Sequence, residues 1–161
     1  MKKGELLMKE NILPRGWKLS FELNPVGEVG GFSSIIHATI NGNIGAAGER
    51  IPAVWFISNT RKMHITSDIG GNTNYVYNTN FNLPRDRFST IVIQQIQKAD
   101  LTYHYQIIIN GKLIHSVLNH KPKIFQNVKY YVGDPWFTPA KTELRNIKLH
   151  KHAHKCKYIF L

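Results

Sequence analysis

Apolar residues at every second position are what most constrain this chain. Trp17, Leu19, Phe21 and Leu23 alternate with Lys18, Ser20, Glu22 and Asn24. Successive strand side chains point to opposite faces, so this run reads as a strand with one dry and one wet face. Helical spacing is nearly absent. The longest strand candidates, Arg87 to Gln97 and Leu101 to Ile109, are rich in Ile, Val, Thr and Tyr. Asn110-Gly111 follows the second of them, and both residues tolerate positive φ, which makes a tight hairpin. Phe32 to Ile40, Lys62 to Thr66, Asn74 to Tyr77, Val128 to Val132 and Leu144 to Leu149 read as further strands. Pro52 to Ile57 is a continuous apolar run, as expected of a strand covered on both sides. Turn residues separate them, as in Asn24 to Gly31 and Asp68-Ile-Gly-Gly-Asn72. About eleven short strands with loops between them predict an all-β sandwich or barrel.

A chain of 161 residues fits one such domain. No apolar stretch approaches the ~20 residues of a membrane-spanning helix. Met1 to Glu10 is charged and lacks the apolar run of a signal peptide. Cys156 is the one cysteine, which excludes an internal disulfide. Net charge is +11, and from Lys141 onward six Lys or Arg stand against Glu143 alone. Such a balance attracts polyanions (sulfated glycans, nucleic acid, anionic lipid) or simply aids solubility. No nucleic-acid reader motif appears, and aromatics do not interleave with the basic runs.

Several segments together resemble the laminin-G-like domains of the concanavalin A-like lectin/glucanase superfamily. They are Leu13-Pro-Arg-Gly-Trp-Lys-Leu-Ser-Phe-Glu-Leu23, Ile35-Ile-His-Ala-Thr39, Gly48 to Phe56, Phe88 to Gln95 and Ile107-Ile-Ile-Asn-Gly-Lys112. The closing run Val128-Lys-Tyr-Tyr-Val-Gly-Asp-Pro-Trp136, followed by Glu143 to Leu149, completes the pattern. The likeness covers residues 4–149, and residues 150–161 form a basic, His-rich tail beyond the domain. It implies two antiparallel sheets in a jelly-roll sandwich, and extracellular recognition of glycans or proteins. Many members of the superfamily use calcium on a rim loop. Here the acidic residues are sparse and no Asp-x-Asp loop exists, whereas calcium wants six to eight oxygens. No cofactor is therefore expected.

A glycosidase needs two carboxylates about 5–10 Å apart. No Glu-x-Asp-x-Glu run supplies them, and no Ser stands in a Gly-x-Ser-x-Gly setting. No catalytic residue is assigned. The Gly-rich segment Asn41 to Arg50 lacks the Gly-Lys-Ser/Thr ending of a phosphate loop. His150, His152, His154 and Cys156 would share one face of a strand, in ligand types that suit zinc or copper, but no metal site is assigned. His37, His64, His104 and His115 are scattered along strands and read as structural or surface residues.

Sugar recognition pairs aromatic rings with planar polar groups, because sugar rings have apolar C–H faces and hydroxyl edges. The loops offer Arg50, Asn72, Asn74, Tyr75, Tyr77, Asp134 and Trp136. Trp136 also fits a plug at the end of the sandwich, and Asp134 a bond within its own turn. Candidates for a polyanion surface are Arg61, Lys62, Arg85, Arg87, Lys121, Lys123 and Lys129. The sequence thus predicts a non-catalytic module that binds a glycan, sulfated ones included, through rim loops and basic surface. A protein-adhesion module without sugar binding is the first alternative, and a glycoside-active enzyme the second.

Overall fold

A computed structural model of the protein describes residues 1–152. Its elements are all strands: β1 (Leu6–Leu13), β2 (Gly16–Pro25), β3 (Ser33–Thr39), β4 (Ala53–Phe56), β5 (Met63–Ile69), β6 (Asn72–Asn78), β7 (Ser89–Gln97), β8 (Tyr103–Ile109), β9 (Lys112–Leu118), β10 (Phe125–Val132), β11 (Thr138–Pro139) and β12 (Thr142–His152). They form two sheets. One runs β1-β10-β3-β4-β5-β6, with the short β11 alongside β3, and the other runs β12-β2-β7-β8-β9. All pairings are antiparallel except β11 with β3. This is a two-sheet sandwich, one of the two architectures that the alternation predicts, in the jelly-roll form that the resemblance implies.

The core lies between the sheets. β2 contributes Trp17, Leu19, Phe21 and Leu23, the same alternate residues that define its dry face. Ile91 and Ile93 of β7 and Tyr105, Ile107 and Ile109 of β8 extend that face. Ile36, Ala38, Val54, Phe56, Met63, Ile65, Val128 and Tyr130 meet it from the other sheet. Each fully buried Leu, Ile or Phe stabilises the sandwich by about 1.5–3 kcal/mol. Asn110 and Gly111 take φ of 50° and 78° in the β8–β9 hairpin, as the Asn-Gly pair predicts.

The core also buries a phenol without a partner. Tyr130 is fully buried and its hydroxyl makes no hydrogen bond within the protein. Burial, followed by the nearby Glu10 charge, pushes its ionisation far above the usual tyrosine range. Tyr130→Phe should therefore leave stability unchanged or raise it by up to ~1 kcal/mol, because it removes an unpaired polar group without a cavity. Urea denaturation would check this, and a clear loss of stability would refute it.

Three elements depart from the sequence reading. β1 lies in the charged N-terminal segment and pairs with β10 from Leu6 to Leu13. β11 is only two residues long. β12 runs on to His152, with His150, Lys151 and His152 opposite Lys18, Trp17 and Gly16. His154 and Cys156 lie outside the described residues. No helix among the described residues is long and apolar enough to cross a membrane.

Candidate functional site

The outer face of the β1–β6 sheet carries an aromatic and polar cluster. In β4, Val54 and Phe56 join the core, so Trp55 between them turns outward. In β5, Met63 and Ile65 join the core and His64 turns outward opposite Trp55. Two loop segments close around this pair. Phe32, before β3, stands 4.9 Å from the His64 ring, and Phe137, before β11, stands 5.5 Å from the Trp55 ring. Together with Arg50 they line a pocket of about 150 Å³.

Arg50 reaches this pocket because the β3–β4 loop follows a fixed path. Its Gly42, Gly45 and Gly48 all have positive φ, and a side chain at Gly42 would run into the Glu49 carboxylate. Glu49, itself buried, accepts the Ala46 N–H at 2.9 Å. The Ile51 N–H donates to the Ala38 carbonyl, and the Ala38 N–H to that of Pro52. The Arg50 guanidinium then lies over Trp55, 5.3 Å from the ring centroid. Its Nε donates to Asn43 Oδ1 at 2.9 Å, Nη2 to the Asn43 carbonyl at 3.0 Å and Nη1 to Asn74 Oδ1 at 2.5 Å. A guanidinium has five N–H donors, so two remain for a ligand.

His64 supplies the complementary group. Its Nδ1 bonds Asn78 Oδ1 at 2.7 Å, which makes Nδ1 the donor and leaves Nε2 as an acceptor. Burial, and then the Arg50 charge, lowers the His64 pKa below its ordinary value despite the opposing bond to Asn78. Near neutral pH the ring is uncharged. The pocket thus sets a donor and an acceptor among aromatic rings.

Beneath it lies a buried hub. Asp134 is completely buried; its Oδ2 accepts from Trp55 Nε1 at 3.0 Å and bonds His37 Nδ1 at 3.1 Å. Its Oδ1 accepts the backbone N–H groups of Trp136 and Phe137 at 3.0 and 2.8 Å. Asp134 therefore fixes both the floor of the site and the loop that brings Phe137 over it. Trp136, 40% exposed, packs against the rings of His37 and Tyr131 at 5.2 and 6.2 Å.

The sequence-predicted glycan residues are thus dispersed. Arg50 and Asn74 are joined by a hydrogen bond, and Trp136 packs on the His37 ring, which in turn meets Trp55. Asn72 braces its own turn, its Oδ1 accepting the Asn74 N–H at 2.9 Å. Tyr75 and Tyr77 turn toward the other sheet and stack on His115, with centroids 5.8 and 4.5 Å away. The sequence-predicted cations fall into separate groups. Arg61 and Arg85 share Glu28, Lys123 pairs with buried Asp68, and Lys129 faces Lys9 across β1 and β10. Lys62 and Arg87 lie on the connections that flank Arg61 and Arg85, whereas Lys121 belongs to the β9–β10 loop. Phe32, Trp55, His64 and Phe137 belong to the pocket and escape the sequence reading. The signal available for His64 was a polar ring between Met63 and Ile65 on an otherwise apolar strand. Among the described residues, no group of three or more His, Cys, Asp or Glu could hold a metal ion.

Solved structures share this architecture. A heptameric pentraxin from Limulus polyphemus superposes with a TM-score of 0.59 at 8% identity, covering 89% of this chain and 67% of the pentraxin. A doubly substituted human galectin-16 gives 0.52 at 12% identity, covering 92% of this chain and 99% of the galectin. The fold is a concanavalin A-like jelly-roll sandwich. The carbohydrate-binding module CBM66 from Bacillus subtilis matches with a TM-score of 0.51 at 7% identity, over 94% of this chain and 84% of the module. At such identities the likeness is one of fold alone. No protein-family model matches the sequence. No curated protein matches it either.

Proposed function

We propose that the protein is a non-catalytic glycan-recognition module whose site is the pocket of Arg50, Trp55, His64, Phe32 and Phe137. One observation carries this reading. Arg50 and His64 present free hydrogen-bonding capacity of opposite sense inside an aromatic enclosure. That suits the hydroxyl edge and C–H face of a sugar ring. The pocket is shaped largely by loops, as the β3–β4, β2–β3 and β10–β11 connections supply Arg50, Phe32 and Phe137. No carboxylate of the described residues lines it, whereas glycoside hydrolysis needs two. The fold neighbours include a module named for carbohydrate binding, and also an alginate lyase in complex with an alginate tetrasaccharide. The net charge of +11 favours anionic glycans, sulfated ones included, by long-range attraction. An extracellular setting fits such a ligand.

The test is an array of neutral and sulfated glycans, read with calcium or chelator at two salt concentrations. Binding to a defined sugar that survives chelator is the expected result. It should weaken in acid, as the pH falls through the depressed His64 pKa and the ring gains a proton and loses its acceptor. Silence across the array would remove the glycan reading and put protein adhesion in its place.

A further inference from the structure

A second, larger cleft opens at one end of the sandwich and shares no residue with the aromatic pocket. It has a volume of about 810 Å³ and lies where the β1–β2 link, the β7–β8 hairpin and the β9–β10 loop meet. Leu101, Leu118, Tyr103 and Pro122 give it apolar walls, and Leu101 is 73% exposed. Arg15 and Lys121, both exposed, and the ring of His120 stand among them, and no carboxylate of the described residues lines the cleft. Asp100, in the adjoining hairpin, has its Oδ1 engaged by the Thr102 N–H and hydroxyl at 3.0 and 2.6 Å.

The two cations come from distant parts of the chain, yet one buried relay ties their backbones together. Gln95 and Asn119 are each 3% exposed. Gln95 Nε2 donates to the Arg15 carbonyl at 2.6 Å, and Gln95 Oε1 accepts from Asn119 Nδ2 at 2.5 Å. Asn119 Oδ1 in turn accepts the backbone N–H groups of Lys121 at 3.0 Å and Gly70 at 2.8 Å. Gly71, with φ of 91°, leaves room for the Lys121 stem, whose Cδ would lie 3.3 Å from any side-chain carbon placed there. Solvating lysines need no such scaffold. A pair of long cations on a fixed base beside apolar walls suits a ring that carries an oxyanion.

We propose that this end cleft binds an anionic sugar unit, its carboxylate or sulfate held between Arg15 and Lys121 and its C–H face against Leu101 and Leu118. The proposal holds whether or not the aromatic pocket takes a glycan.

Calorimetric titration of the full chain with three size-matched oligosaccharides tests it: a neutral glucan, an oligogalacturonate and a heparin-derived chain. At least one charged chain should bind, with an affinity that falls as salt rises. Binding of the oligogalacturonate would show that a carboxylate suffices, and binding of the heparin-derived chain alone that sulfate is required. The double variant Arg15→Ala/Lys121→Ala should lower that affinity about tenfold or more. Lys112→Ala/Lys148→Ala removes the same charge from exposed sites elsewhere and should change it less than about twofold. Equal losses in the two double variants would show diffuse attraction only and overturn the proposal. So would unchanged affinity in the cleft variant, or no binding of either charged chain.

Discussion

Asp134→Ala should destabilise the domain by about 3–5 kcal/mol, since it leaves four buried donors unpaired at on the order of 1 kcal/mol or more each. The carboxylate is completely buried and meets Trp55 Nε1, His37 Nδ1 and the N–H groups of Trp136 and Phe137. Removing it strands those donors in a site that water does not reach. A domain of this kind holds about 5–15 kcal/mol in all, so the variant loses a large share of its margin. The melting temperature should fall by roughly 6–20 °C. Asp134→Asn keeps the shape but turns an amide NH2 toward groups that already donate, so it should also lose stability. Asp86→Asn, at an exposed position, should stay within about 0.5 kcal/mol of the parent. Denaturant titration of the three variants decides the matter. An Asp134→Asn protein as stable as Asp86→Asn would show that the hub is dispensable.

The same hub sets an acid limit. Burial alone would raise the Asp134 carboxyl, but the His37 ring, the Phe137 N–H and the Ser34 hydroxyl outweigh it and hold it below the usual carboxylate value. A carboxyl depressed in the folded state stabilises the protein above its unfolded pKa of about 3.9, and that contribution fades as the pH falls through the folded value. His64 acts earlier. Its depressed pKa means that the unfolded chain takes up the proton first, so its contribution begins to fade as the pH drops past about 6.5.

How much of this was legible in the sequence follows from what alternation encodes. A period of two assigns residues to opposite faces and so found β2, β7 and β8, whose apolar halves face the core. Asn110-Gly111 fixed one hairpin because few other residues take its φ values. β1 stayed hidden because an edge strand need not be apolar; Lys9 and Glu10 suit it, and pairing with β10 supplies its order. β11 is too short to show a period. The pocket was harder still. Ala53-Val-Trp-Phe56 is apolar throughout, which marks burial on both sides but not which side is the core. Trp55 is indeed buried, at 2% exposure, but beneath Arg50 and beside Phe137 on the outer face. Arg50 and Asn74 were each recognisable as polar loop or strand-end residues. Their hydrogen bond depends on the loop path and on the β5–β6 register, neither of which a single sequence prints.

Arg50→Ala should weaken binding of the sugar identified on the array by roughly tenfold to a hundredfold, since hydrogen bonds from a charged group contribute about 1.5–3 kcal/mol. The fold should survive, because the loop is closed by backbone bonds between Ala38 and residues Ile51 and Pro52 and by Glu49, none of which involves the arginine side chain. Arg50→Lys is the sharper test. Lysine keeps the charge, but its single ammonium cannot reproduce a planar fork that bridges Asn43 and Asn74 and still offers two N–H groups to a ligand. If recognition depends on that fork, the lysine variant should lose most of what alanine loses. If long-range attraction were the whole effect, lysine would bind like the parent at low salt. Calorimetry on the three proteins, with thermal unfolding alongside to confirm the fold, separates these cases. An alanine variant that folds and binds like the parent would remove Arg50, and with it the aromatic pocket, from glycan recognition.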